Sequence, residues 1–337
     1  MTPIDRRFTV APMMDWTDRH CRAFHRALTH RALLYTEMVT ADAVVHSVRR
    51  GEGARERLLA FSQIERPVAL QLGGAEPETL REAARIGAAF GYDEINLNVG
   101  CPSDRVQSGR FGACLMREPA LVAALVSAMR DGAGETPVTV KCRIGVDDQD
   151  PQESLFHFVE TVSAAGCATF IVHARKALLQ GLSPKENREI PPLDYALVHA
   201  LKRARPDLEI ILNGGLRDVA HGLREADGLD GVMLGRAAYQ TPAVLLDVDP
   251  IVYGAVAPSR DAVDAVRRHL PYIENNLARG TPLHVMTKSM LGLFHGAPGG
   301  RVWRRCLSEE AHRPGAGTEV VLRALAQMHD ARERVLS

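Results

Sequence analysis

The sequence predicts an α/β fold: a TIM (β/α)8 barrel followed by a small all-helical C-terminal domain. Three observations predict it. Between Phe8 and Arg236, eight short apolar or alternating runs are separated by helix-like stripes, the alternation that builds a mainly parallel sheet. From about Ala255 the strand signal stops and only helical periodicity continues. No Gly-x-Gly-x-x-Gly follows the first run, which counts against the rival architecture, a doubly wound open sheet. The expected division is 1–254 for the barrel and 255–337 for the helical domain.

The first strand is expected over 8–13, followed by a helix over 18–28, and the second strand over 32–39. The third, 67–72, closes on Gly73-Gly74. Its helix opens at Pro77, a residue suited to a first turn. Leu80, Ala83, Ala84, Gly87 and Ala88 fall on one face of that helix, small enough for close packing on a sheet. In the fourth strand, 94–99, Ile95, Leu97 and Val99 alternate with Asn96 and Asn98. Period two puts the apolar set on one face and both asparagines on the other. Buried asparagines are costly unless hydrogen-bonded, so the polar face should line a site or a polar barrel mouth. The next helix carries the stripe Leu121, Val122, Leu125, Val126 and Met129.

The fifth strand is expected over 137–144. Asp150-Pro-Gln-Glu153 then resembles a capping box with proline in the first turn, ahead of the stripe Leu155, Phe158, Val159 and Val162. Strands six to eight are expected over 169–173, 209–215 and 231–236. In the C-terminal part Val263, Val266, Leu270, Ile273 and Leu277 make one stripe, interrupted by Pro271 and stopped by Gly280. Further helices are expected over 283–294 and 320–328.

Of 337 residues, 46% are hydrophobic and 24% charged, ordinary values for a soluble globular chain. No apolar run approaches the ~18 residues of a membrane helix, and the start lacks the apolar core of a signal peptide. A cytoplasmic monomer is expected. Lys+Arg and Asp+Glu both total 41, so there is no overall attraction for nucleic acid, and RNA binding would need a local basic face. The six cysteines, Cys21, Cys101, Cys114, Cys142, Cys167 and Cys306, include no Cys-x-x-Cys pair. Neither zinc nor an iron–sulfur cluster is suggested, no metal is expected, and a disulfide framework does not suit a cytosolic chain of this size.

Loops that follow the strands of such a barrel share one rim, where active sites sit. Gly100-Cys101-Pro102 breaks the fourth strand and presents a thiol there. An isolated cysteine is more often a small buried hydrophobe. With Gly before it and Pro, Ser103 and Asp104 after it, Cys101 reads instead as a nucleophile or proton donor. Ala11-Pro12-Met13, Gln71, Asn98, Lys141, His173, Asn213-Gly214-Gly215 and Gly235-Arg236 fall at other strand ends. Singly, each has a plainer reading: an edge lysine, a satisfied core histidine, a glycine turn. Their convergence from six or more strands argues for a site. Loops after strands seven and eight often bind phosphate in this fold, and glycines admit backbone N–H groups while Arg236 adds a charged donor. A phosphate site together with Lys141 suggests flavin mononucleotide (FMN), since a cation near the pyrimidine end of the ring stabilises its anionic reduced form.

Asn96-Leu-Asn-Val-Gly-Cys-Pro-Ser-Asp-Arg-Val-Gln107 resembles the signature of the tRNA-dihydrouridine synthases. His173-Ala-Arg-Lys176, with Gly181-Leu-Ser-Pro-Lys-Glu-Asn-Arg-Glu-Ile-Pro-Pro-Leu-Asp194, resembles the A-type subfamily. The likeness extends from Ala11 to about Arg305. It implies reduction of uridine to 5,6-dihydrouridine in tRNA, at D-loop positions 20 and 20a, with NADPH reducing the flavin. It further implies hydride transfer from FMN N5 to uracil C6 and a proton from Cys101 to C5 on the opposite face. Unperturbed thiols titrate near ~8.5 and stay mostly protonated at neutral pH, as a donor must. By the same resemblance Pro12, Met13, Gln71, Lys141, His173, Asn213, Gly214, Gly215, Gly235 and Arg236 would hold FMN, with Ala11 beside them. Asn98 would hydrogen-bond the uracil, and Lys185, Arg188, Arg301 and Arg304 would contact tRNA. The sequence departs from the pattern at Gly300-Arg301-Val302, ahead of Trp303. A base in folded tRNA must leave its stack to reach a barrel mouth, so a surface gripping the backbone is required. The plainer reading of Arg301, Arg304 and Arg305 is a solvated helix face around one packed tryptophan. Two alternatives remain at this stage. A flavin barrel enzyme acting on a free pyrimidine or an enone would not need the basic helical tail. An RNA-binding module without chemistry would not need Cys101 or Lys141.

Overall fold

The computed structural model describes residues 4–103 and 109–336. Asp104, Arg105, Val106 and Gln107 of the signature lie outside the described residues. Eight parallel strands form a closed barrel in chain order. They are β1 (Phe8–Val10), β2 (Leu33–Thr40), β3 (Val68–Gly73), β4 (Glu94–Val99), β5 (Val138–Arg143), β6 (Thr169–His173), β7 (Glu209–Asn213) and β8 (Gly231–Leu234). Phe8, Thr9 and Val10 pair with Val232, Met233 and Leu234. That pairing closes the sheet and rules out the open, doubly wound alternative.

Register carries the polar faces of neighbouring strands to common levels. Gln71 pairs with Asn96, Asn96 with Thr139, and Asn98 with Lys141. Around them the barrel is filled by buried Ala11, Leu33, Tyr35, Ala69, Ile171, Ile211 and Met233, with Met13 packed against the group. Outside, the helix Pro77–Phe90 lies against β3 and β4. A Cβ on its Gly87 would stand 2.7 Å from Leu70 Cδ2 and 2.9 Å from Ile95 Cδ1, so the small-residue face seen in the sequence is a packing requirement.

Some boundaries differ from expectation. The run expected over 8–13 is paired only to Val10, because Pro12 has no N–H for a ladder. The run over 209–215 ends as strand at Asn213, where Gly214 and Gly215 turn to φ +111° and +69°. Pro271 does not interrupt its helix: Ala262–Ala278 runs through it. Proline in a helix interior costs about 3 kcal/mol, and the buried face formed by Ala265, Val266, His269 and Ile273 offsets that loss. The helix expected over 283–294 is shorter, Leu283–Thr287, continuing as a 3-10 turn, Lys288–Met290. The carbonyl of Met290 is taken by Trp303 Nε1 at 3.0 Å.

Contacts divide the chain into two compact units. The first is Met1–Met13, Leu33–Phe61 and Arg66–Leu234, the second Met14–Ala32, Ser62–Glu65 and Gly235–Ser337. In the second unit, Arg22 Nε donates to Glu65 Oε2 at 2.8 Å, and the Asp249 carboxylate accepts from Thr29 Oγ1 and from His30 N. These bonds tie the segment after β1 to distant sequence. Trp303 is fully buried, edge-on to Phe294. Its neighbours Arg301, Arg304 and Arg305 are exposed on the helix Gly300–Glu310. Among the described residues no helix is long and apolar enough to cross a membrane.

Candidate active site

The turn that carries Cys101 is shaped by β4 itself. Asn98 Oδ1 accepts from the backbone N–H of Gly100 and of Cys101, each at 3.0 Å. Asn98 Nδ2 donates to Gln71 Oε1 at 3.0 Å and lies 3.3 Å from Met38 Sδ. The side chain expected to hold a uracil is therefore already engaged in building the loop. The Cys101 carbonyl accepts from Ala113 N at 2.9 Å. Its thiol is a partly exposed free cysteine, 3.5 Å from Ser103 Oγ.

Arg143, at the end of β5, clamps this turn from the other side. Nε donates to the Gly100 carbonyl at 2.9 Å, and Nη1 to the carbonyls of Lys176 at 2.9 Å and Asn187 at 3.0 Å. The residue is buried. Burial pulls its pKa down to about 10, with the Arg188 and Arg175 charges acting in the same sense and the Cys101 thiol opposing.

Two positions earlier on β5, Lys141 Nζ donates to Asn213 Oδ1 at 3.0 Å. Asn213 in turn donates through Nδ2 to the Met233 carbonyl at 2.7 Å. Burial, and next the Arg143 charge, bring the Lys141 ammonium down to about 8. His173, at the end of β6, is buried and held well below the usual histidine range, first by burial and then by the Arg143 and Lys141 charges. It is a neutral imidazole at pH 7. Beside it a Cβ on Gly214 would stand 2.5 Å from His173 Cδ2, and one on Gly215 2.5 Å from Leu193 Cδ1. Only glycine leaves that space open, and both φ values are positive.

Lys185 and Arg188 are exposed on the loop after β6. Asn187 between them is buried and pins the loop, accepting from Leu178 N and donating to the Leu178 carbonyl, both at 2.8 Å. The Arg188 charge is felt at Lys141, Arg143 and His173, which brings it near the rim. Ala11, Met13, Gln71, Asn98, Cys101, Lys141, His173 and Asn213–Gly215 all belong to the first unit. Gly235 and Arg236 follow β8 directly in the chain but are counted, like Arg301 and Arg304, in the second.

A family model described as dihydrouridine synthase (Dus) matches residues 9–329. The chain belongs to the dihydrouridine synthase family. It is 55% identical over 329 residues to the tRNA-dihydrouridine(20/20a) synthase of Xanthomonas campestris pv. campestris, covering 98% of this chain and 96% of that protein. It is also 55% identical over 327 residues to the protein of the same name from Escherichia coli strain K12, covering 97% and 92%. Among solved structures, a 2-naphthoyl-CoA reductase in complex with 2-naphthoyl-CoA shares the fold with TM-score 0.54 at 12% identity, over 74% of this chain and 50% of that one.

In this family member, Arg143 and Asn187 are the residues that sequence reasoning missed. A signal for Arg143 existed. Thr139, Lys141 and Arg143 alternate with Val138, Val140 and Cys142, the same period-two pattern that exposed Asn96 and Asn98. Of the three, only Lys141 points to a site by itself, because threonine and arginine on a strand carry no chemistry alone. Asn187 left no such trace: the partners of its side chain are backbone groups of its own loop.

Proposed function

We propose that the chain is an FMN-dependent, NADPH-driven cytoplasmic enzyme that reduces uridine to 5,6-dihydrouridine in the tRNA D-loop, at positions 20 and 20a. The observation that carries the reading is the Cys101 thiol, partly exposed on a fixed turn at the end of β4, in a chain more than half identical to synthases bearing that name. The residues present fit a flavin mononucleotide. Gly214 and Gly215 keep open a cradle that a Cβ would fill. Lys141 carries an ammonium under desolvation stress, which an anion beside it would relieve. Lys141 and His173 would meet the ring, and Gly214 and Gly215 the phosphate. A flavin mononucleotide held there, with NADPH as its reductant, would supply the hydride equivalent for C6 of the uracil.

The protein's own part is positional and protonic. Cys101 gives its thiol proton to C5 on the face opposite the hydride, which is general acid catalysis. Asn98 and Arg143 hold the turn so that the thiol has one place to be. The Lys141 ammonium would offset negative charge on a flavin held beside it. Residues 255–337 grip the tRNA, with Lys185 and Arg188 assisting from the loop after β6.

Because the net charge is zero, that grip must be local, and salt reports it. Replacing Arg301 and Arg304 together by alanine is expected to weaken tRNA binding about 10-fold at low salt. It should also lower the slope of log K against log salt by about 1.5, close to two lost phosphate contacts. Filter binding or fluorescence titration across a salt series measures both. A slope equal to that of the unaltered chain contradicts the assignment of this helix face to phosphate.

A further inference from the structure

A single file of buried side chains runs through the barrel from its floor to the turn of Cys101. Arg6 Nε donates to Glu94 Oε2 at 2.6 Å. Tyr35 OH and Thr139 Oγ1 both donate to Glu94 Oε1, the latter at 2.6 Å. Asn96 Nδ2 donates to Thr139 Oγ1 at 2.8 Å, and Gln71 Nε2 to Asn96 Oδ1 at 2.8 Å. Asn98 Nδ2 donates to Gln71 Oε1 at 3.0 Å, and the N–H groups of Gly100 and Cys101 donate to Asn98 Oδ1. Glu94, Tyr35, Asn96 and Thr139 are fully buried, and Gln71 nearly so. Every donor in the file points toward Glu94.

We propose that the Glu94 carboxylate, acting through Thr139, sets the orientation of the Asn96, Gln71 and Asn98 amides and thereby fixes the turn that presents Cys101. A carboxylate only accepts hydrogen bonds. Thr139 has one hydroxyl proton and gives it to Glu94, so its oxygen must accept from the amide nitrogen of Asn96. That turns the Asn96 oxygen toward Gln71 and the Gln71 oxygen toward Asn98, and leaves the Asn98 oxygen facing two backbone N–H groups. With the direction reversed, the Asn98 NH2 would confront those two N–H groups and leave partly buried donors unpaired, which is unfavourable. Bonds aligned in one direction also polarise one another. Tyr35 cannot reverse the file: burial and the neighbouring Glu94 hold its hydroxyl well above the usual range, so it remains a donor. Arg6 is itself bridged to Glu209 Oε2 at 3.0 Å, which anchors the floor.

Thr139 is then a positioning residue: it touches neither Cys101 nor the rim. Its role in turnover rests on the reading of Cys101 as proton donor, so the test uses two readouts. In the flavin-free full chain, iodoacetamide alkylation of Cys101, followed by peptide mass spectrometry, reports the turn alone. Thr139→Val should change that rate several-fold, and Thr139→Ser should return it to that of the unaltered chain. In the FMN-loaded chain, reduced anaerobically, Thr139→Val should slow tRNA-dependent flavin reoxidation about 10-fold or more at saturating tRNA, with little change in half-saturation. Thr139→Ser should recover most of that rate. Should the valine variant not fold, Thr139→Ala removes the hydroxyl without crowding Asn96 and carries the same expectation. Equal alkylation rates in all variants overturn the proposal, as does a serine variant that behaves like valine. An unaltered, loaded chain that ignores tRNA would sink the functional reading, while alkylation still decides the role of Thr139.

Discussion

Cys101→Ala is expected to keep its flavin and to oxidise NADPH at the rate of the unaltered chain, while dihydrouridine formation falls about 10²–10⁴-fold, the range for loss of one general acid. The separation of the two half-reactions follows from what holds the loop. Its shape rests on backbone groups: the N–H of residues 100 and 101 on Asn98 Oδ1, the Cys101 carbonyl on Ala113 N, and the Gly100 carbonyl on Arg143. Beyond Cβ the side chain contributes a thiol whose hydroxyl neighbour, Ser103, lies at 3.5 Å. Alanine therefore removes the proton and leaves the scaffold, and stability should change by no more than about 1 kcal/mol. Dihydrouridine counted in tRNA digests, alongside NADPH consumption, measures both halves. Equal dihydrouridine yields from mutant and parent contradict the role of proton donor.

Arg143→Met should be the most damaging single change outside Cys101. One guanidinium satisfies carbonyls on Gly100, Lys176 and Asn187, and so joins the Cys101 turn to the loop after β6. Methionine fills much of the volume but leaves three acceptors short, at about 1–3 kcal/mol for each that water cannot reach. Removal of a buried charge recovers part of this, since burial already opposes that charge. A net loss of about 3 kcal/mol is expected, seen as a fall of roughly 4 °C in the melting temperature of a chain of this length. Dihydrouridine formation should fall further than NADPH oxidation, because the turn loses its outer clamp. Arg143→Lys should not rescue, since one ammonium cannot reproduce the fork that reaches three carbonyls. A melting temperature within 2 °C of the parent would falsify the clamp.

What the sequence made legible followed from local periodicity. Ile95, Leu97 and Val99 against Asn96 and Asn98 announced a strand with a polar inner face, and the structure supplies the hydrogen bonds those asparagines needed. Eight repeats of strand and helix announced closure. What stayed hidden depends on residues far apart in the chain. Asp249 captures His30 from 219 positions away, so the segment after β1 belongs to the second unit although it reads as an ordinary barrel helix. Arg6 meets Glu94 across 88 positions, and Arg143 reaches carbonyls 33 and 44 positions on. Carbonyl acceptors are present at every residue and mark no position in a sequence. The charged groups that organise the Cys101 turn were visible as letters, and their partners were not.

An anaerobic absorption titration of the purified full chain tests the proposed reaction most directly. FMN bands that bleach on addition of NADPH and return only when unmodified tRNA is added are the predicted result. A bleached flavin that tRNA leaves unchanged, or a chain that takes up no flavin from added FMN, would contradict it.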